Sequence, residues 1–84
     1  MARYRITFKR SVKTDLRKIE NRQVAVILKR IDALADDPRP SGCKKLAGKD
    51  VYRVRQGSYR IIYEIFDGRL LVVVVAIGSR GGVY

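Results

Sequence analysis

Apolar and polar residues alternate over residues 4–8 (YRITF), with Tyr4, Ile6 and Phe8 on one side, the period of a strand with one buried face. The period then lengthens. Val12, Leu16 and Ile19 recur at i, i+4 and i+7, which predicts a short helix with Ser11 as its N-cap and a break at Asn21. A second helix is predicted over residues 22–35, its stripe formed by Val24, Ile27, Leu28, Ile31 and Leu34. The run DDPRPSG, residues 36–42, ends that helix with two prolines and a glycine. Alternation returns in residues 51–56, 59–66 and 69–77, three strands joined by Gly57-Ser58 and Asp67-Gly68, two-residue hairpin signals of type II′ and type I′. The order β-α-α-β-β-β predicts an α+β fold: a mostly antiparallel sheet with a helical hairpin packed on one face, in a single domain covering residues 1–84.

The turns also decide which residues share a face. With Gly57-Ser58 as the loop, Arg55 pairs with Arg60, Val54 with Ile61 and Arg53 with Ile62. Side chains alternate along a strand, so Tyr52, Val54, Ile61, Tyr63 and Ile65, joined by Leu70, Val72 and Val74, form the seat for the helices. The opposite face carries Arg53, Arg55 and Arg60. A like-charge pair directly across two strands is unfavourable, so folding has no use for this cluster, whereas a bound phosphate has. The alternative is a set of solvated arginines on the free face of a one-sided sheet; such a surface ordinarily mixes signs across the ladder. Ile62, Leu71, Val73 and Val75 share the open face and are too apolar for one bathed only in water. A covering tail or a protein partner is expected there.

Composition strengthens the polyanion reading. Nineteen Lys and Arg against eight Asp and Glu leave a formal charge of +11 on 84 residues, a field suited to nucleic acid. The first apolar stretch is interrupted by Arg5 and followed by Lys9 and Arg10, so no signal peptide is expected. The longest apolar run, residues 70–77, is too short to span a bilayer, and a cytoplasmic protein without membrane association is expected. Cys43 is the sole cysteine and reads as an incidental thiol, in keeping with a reducing compartment. Helices and sheet satisfy each other within one chain, which points to a free monomer.

The chemistry open to this chain is narrow. It holds no histidine and a single cysteine, and Asp36-Asp37 is its one carboxylate cluster, so neither a metal site nor a cofactor is expected. Nucleophilic triads that need histidine are excluded. Arginine, lysine and tyrosine remain, and they suffice for one reaction. RNA carries its own nucleophile in the 2′-hydroxyl, so an enzyme need only align the attack and neutralise developing charge.

The segment DPRPSGCKKLAGKDVYRVRQGSYRIIYEIFDGRLLVVVVAIGSRGGVY resembles the C-terminal half of the RelE/ParE toxin superfamily, with its DPRP-type loop, KKL-G step, YR-R-G-YRIIYE hairpin and terminal GxR…VY tail. The two helices fit as well, so the resemblance covers essentially the whole chain. It implies a RelE-like fold and the toxin of a type II toxin–antitoxin system, neutralised by an acidic, partly helical antitoxin. In the RelE branch the implied activity is ribosome-dependent, metal-independent cleavage of mRNA in the A site. Carried over by position, Arg53 and Arg55 match the basic pair that holds the RNA backbone, with Lys44, Lys45 and Lys49 as further RNA-binding candidates. Arg60 matches the arginine that stabilises transition-state charge, Arg80 the one on the leaving-group side, and Tyr84 the tail aromatic that orients the base. In the ParE branch the implied activity is non-catalytic inhibition of DNA gyrase. The chain departs from its relatives in three places. Arginines stand where ribosome-dependent members can have lysine, and arginine keeps its proton, which leaves Lys44, Lys45, Lys49 or Glu64 as alternative general bases. Ser79 stands where many relatives carry a histidine, and the C-terminal extension that some members use is not expected after Tyr84.

Overall fold

In the computed structural model, which describes residues 3–46 and 50–79, the alternating and helical periods become β1 (Arg5–Phe8), α1 (Arg10–Arg17), α2 (Asn21–Ala33), β2 (Lys44–Lys45), β3 (Val51–Gln56), β4 (Tyr59–Phe66) and β5 (Leu71–Ser79). One five-stranded sheet runs in the order β1-β5-β4-β3-β2, with β1 parallel to β5 and the other pairs antiparallel. The two helices pack on one of its faces. Val12 and Ile19, Ile27, Ile31 and Leu34 meet Tyr52, Val54, Ile61, Tyr63, Ile65, Val72 and Val74 in a single core cluster. The α+β architecture and the inward-facing set of β3 and β4 are as the pattern predicts.

Several local features differ, each because a tertiary contact outranks a local preference. Ser11 lies inside α1 rather than capping it; the Lys9 amide donates to the Val74 carbonyl, so strand pairing holds Lys9 extended and the helix starts directly after it. The break between helices falls at residues 18–20 rather than at Asn21, which opens α2: the amides of Lys18 and Ile19 turn back onto Asp15 and Leu16, and this seats Ile19 in the core. Leu28 is 40% exposed, so the buried stripe of α2 is narrower than its sequence suggests, and Leu70 at 40% exposed does not join the helix seat. The Lys44–Lys45 strand, paired with Arg53 and Tyr52, has no strand-length pattern in the sequence to announce it.

The connection between β4 and β5 is not a two-residue type I′ turn. Residues 67–69 form a 3₁₀ turn, Leu70 follows at φ 50°, and β5 starts at Leu71. Asp67 explains the change. Its carboxylate takes two hydrogen bonds from the Arg39 guanidinium, at 3.1 and 2.8 Å, and one from the Tyr4 hydroxyl at 2.7 Å. Arg39 also donates from Nε to the Tyr52 hydroxyl and lies 5.1 Å from that ring's centroid. Its neighbour Pro38 accepts the hydroxyl of the fully buried Tyr63 at 2.7 Å. The DPRP loop is therefore a clasp that ties the end of α2 to β3, β4 and the last turn.

Arg39 and Tyr4 together hold the Asp67 carboxyl at about 2, below the ordinary value of 3.8. A depressed carboxylate adds stability that is complete above its unfolded value and fades as pH falls toward its folded one. Asp67→Asn is thus expected to lower the thermal midpoint at neutral pH, with the gap to wild type closing as pH drops from 3.8 to about 2. Thermal melts across that range check this; a gap independent of pH would show that the clasp does not act through the Asp67 charge.

A β-bulge in β5 completes the geometry. Tyr63 pairs with Val74 but Ile62 with Ala76, which leaves Val75 as the extra residue. The bulge reverses the alternation, so Ile77 enters the core while Ala76 and Gly78 join the open face.

Candidate nucleic-acid interface

The arginine cluster is built by its hairpin. Gly57 takes φ 61°, which the two-residue turn requires, and Ser58 completes it. The register that follows places Arg55 directly opposite Arg60 and Arg53 opposite Ile62. On the far side of β3, Lys44 stands opposite Arg53. Two like-charge cross-strand pairs, Arg55–Arg60 and Lys44–Arg53, therefore share the face away from the helices. Across β5, Arg60 meets Gly78, so no side chain crowds it from that side.

Among the described residues the acids leave this cluster without a partner. The chain has eight, all within the described residues. Asp15 accepts the Ile77 amide, Glu20 pairs with Arg22, Asp32 and Asp36 hold Arg3, and Asp37 accepts the Arg39 amide. Asp50 pairs with Lys45 and Asp67 with Arg39. Glu64 remains, on the open face between Val51 and Val73. Four residues of strand separate it from Arg60, roughly 13 Å at 3.3 Å per residue. Arg53 carries a further cost: its Nε is buried with no hydrogen-bond partner among the described residues, a deficit of about 1–3 kcal/mol or more for a donor of this kind.

Two concavities lie over the cluster. One, of about 180 Å³, is lined by Arg55, Gly57, Ser58, Tyr59 and Arg60. The other, about 360 Å³, is lined by Arg30, Gly42, Lys44, Arg53 and Arg55. Arg55 belongs to both. The open face thus has a basic end at the hairpin and an apolar end with half-buried Leu71, Val73 and Val75; Ile62, expected to be exposed, is 1% exposed in the isolated chain.

A family model for the ParE toxin of type II toxin–antitoxin systems matches residues 6–84. The chain belongs to the RelE/ParE toxin superfamily. The toxin's relatives agree with that assignment. An Escherichia coli RelE-like toxin protein is 26% identical over 80 residues, covering 93% of this chain and 84% of its own length. The RelBE2 toxin–antitoxin complex of Mycobacterium tuberculosis superimposes with a TM-score of 0.85 at 26% identity, covering 95% of this chain and 94% of that one. The archaeal RelE–RelB complex of Pyrococcus horikoshii gives 0.82 at 27% identity, covering 94% and 97%.

The toxin's fold brings Arg53, Arg55, Arg60 and Lys44 together. Lys45 lies opposite Tyr52, on the other side of the sheet edge, with its Nζ 3.7 Å from Asp50. Lys49, Arg80 and Tyr84 lie outside the described residues. Among the described residues no group of acids, cysteine or histidine could hold a metal ion, and no helix is long and apolar enough to cross a membrane. Arg30 and Asp15 escape sequence reasoning. Arg30 flanks the buried stripe of α2 and comes to line a concavity with Gly42 and Arg53 only through the tertiary fold. Asp15 holds the Ile77 amide at 3.1 Å just past the bulge, which anchors the strand end that leads to Arg80. A polar residue in an amphipathic helix signals neither role.

Proposed function

We propose that this toxin is a metal-independent endoribonuclease that cleaves mRNA in the ribosomal A site. The observation that carries the reading is the uncompensated Arg55–Arg60 pair on the open face, beside Lys44 and Arg53, while the acids that form ion pairs are committed elsewhere. Arg53 and Arg55 hold the RNA backbone by planar, bidentate contacts to phosphate. The 2′-hydroxyl attacks the scissile phosphorus, the bond to the 5′-oxygen breaks, and the products are a 2′,3′-cyclic phosphate and a 5′-hydroxyl. Arg60 offsets the charge that develops on the phosphorane oxygens. By their place in the superfamily's motif, Arg80 serves the leaving oxygen and Tyr84 orients the base.

The relatives solved as RelE complexes are bound to RelB antitoxins. We infer that an acidic, partly helical antitoxin covers the mixed basic and apolar face of this toxin.

A defined mRNA translated with the purified toxin, followed by mapping of new 5′-ends, tests the reading. Cuts within codons that vanish without ribosomes are the expected result. A second reading has one observation in its favour, since the matching family model bears the ParE name. In that reading the toxin inhibits DNA gyrase by binding. Intact mRNA together with blocked supercoiling in a parallel reaction would establish it in place of the first.

A further inference from the structure

The larger of the two concavities has more to it than the β-sheet arginines. Its far wall is Arg30, delivered from α2 across the uncovered end of β3, where the two-residue β2 stops short. Gly42, at φ 90°, also lines it, and a Cβ placed there would meet nothing within 4 Å, so at this point the lining is bare backbone beside open space. Four cations from three separate elements, Arg30, Lys44, Arg53 and Arg55, converge with no carboxylate among the lining residues. Among the described residues none of the four has an ion pair or a side-chain hydrogen bond. Convergence of like charges on a concave surface focuses the field and favours a compact anion.

We propose that this concavity is a second phosphate subsite for single-stranded RNA, in which Arg30 and Lys44 seat a phosphodiester flanking the one held at Arg60. The inference rests on the RNA reading above and adds a residue and a path to it. Arg55 lies in both concavities, so a strand that enters the hairpin end at Arg60 is handed by Arg55 to the sheet edge and runs toward α2. The scissile phosphate is thereby held from two sides. Arg30 is a positioning residue here, since it stands at the subsite and not at the cleaved bond.

The test uses binding and not cleavage. Affinity of the full chain for a fluorescent 2′-O-methyl RNA hexanucleotide, which cannot be cut, is measured by anisotropy over a series of KCl concentrations. Each phosphate neutralised in a single strand contributes about 0.7 to the slope of log K against log salt. Arg30→Gln and Lys44→Gln are each expected to reduce that slope by about 0.7, and Arg30→Lys, which keeps the charge, to preserve it. Lys29→Gln, one residue away on the exposed side of α2, controls for net charge and is expected to leave the slope unchanged. Melting curves verify that each variant is folded. If Arg30→Gln and Lys29→Gln behave alike while wild type binds RNA, the subsite is overturned and the RNA reading stands. If wild type binds no RNA, the subsite is overturned, while the cleavage reading is decided by the translation assay, in which the ribosome presents the mRNA. If an oligoglutamate peptide binds through Arg30 while the RNA slope is indifferent to it, the concavity belongs to an acidic protein segment and the proposal is overturned.

Discussion

Arg60→Ala is expected to lower mRNA cleavage by about two to three orders of magnitude, the usual cost of removing one group aimed at developing negative charge. The fold should not notice. Arg60 is only half-buried, and among the described residues its side chain has no ion pair or hydrogen bond. Its cross-strand neighbour is Arg55, so truncation removes a like-charge contact that costs about 0.2–1 kcal/mol. The variant should therefore melt at the wild-type temperature or slightly above it. Arg60→Lys keeps the charge but loses the planar, bidentate contact, and an intermediate rate is expected. Single-turnover cleavage in a translating system, paired with a melting curve, reads both quantities. A folded Arg60→Ala protein that cuts at the wild-type rate would remove Arg60 from the chemistry.

Ile61→Ala, one residue further on, should do the opposite. Ile61 is 0% exposed and sits between Val54 and Ile77 on the central strand, under the helices. Truncating a buried isoleucine costs about 2–5 kcal/mol, from lost transfer energy and from the cavity left behind. A domain of this size has a total stability of only about 4–13 kcal/mol at 0.05–0.15 kcal/mol per residue, so the loss is a large share of it. The expected readout is a lower urea midpoint with an unchanged slope, and lost activity in proportion to the unfolded fraction. Wild-type stability for Ile61→Ala would mean that the face assignment of β4 is inverted, and with it the whole placement of the arginines.

That neighbouring residues 60 and 61 carry opposite expectations follows from a period of two, and this much the chain declares by itself. The repeat of apolar positions, 3.6 in residues 12–34 and 2 in residues 51–66, settles the element types, because periodicity acts over a few residues at a time. Gly57-Ser58 sets the β3–β4 register in the same local way, and with it the facing of Arg53, Arg55 and Arg60. The superfamily's YR-R-G-YRIIYE motif lies in that same stretch, so the common face of these three candidate arginines is legible in the sequence, whereas Lys49, Arg80 and Tyr84 lie outside the described residues.

Other features depend on contacts between residues far apart in the chain, and no local pattern encodes them. Asp67-Gly68 carries the chemistry of a tight hairpin, yet Arg39 and Tyr4, 28 and 63 residues away, draw Asp67 into a wider turn. Ser11 is a good cap passed over because Lys9 is already bonded to β5. The bulge at Val75 exists between two strands whose registers must both be met, with β1 on one side of β5 and β4 on the other, and it alone decides that Ile77 turns inward and Gly78 faces Arg60. Above all, net charge announced a partner but not a place. Only the folded chain shows which cations the acids engage, and that Arg30, Lys44, Arg53, Arg55 and Arg60 have no ion pair among the described residues, because ion pairing is a matter of distance in space and not of order along the sequence.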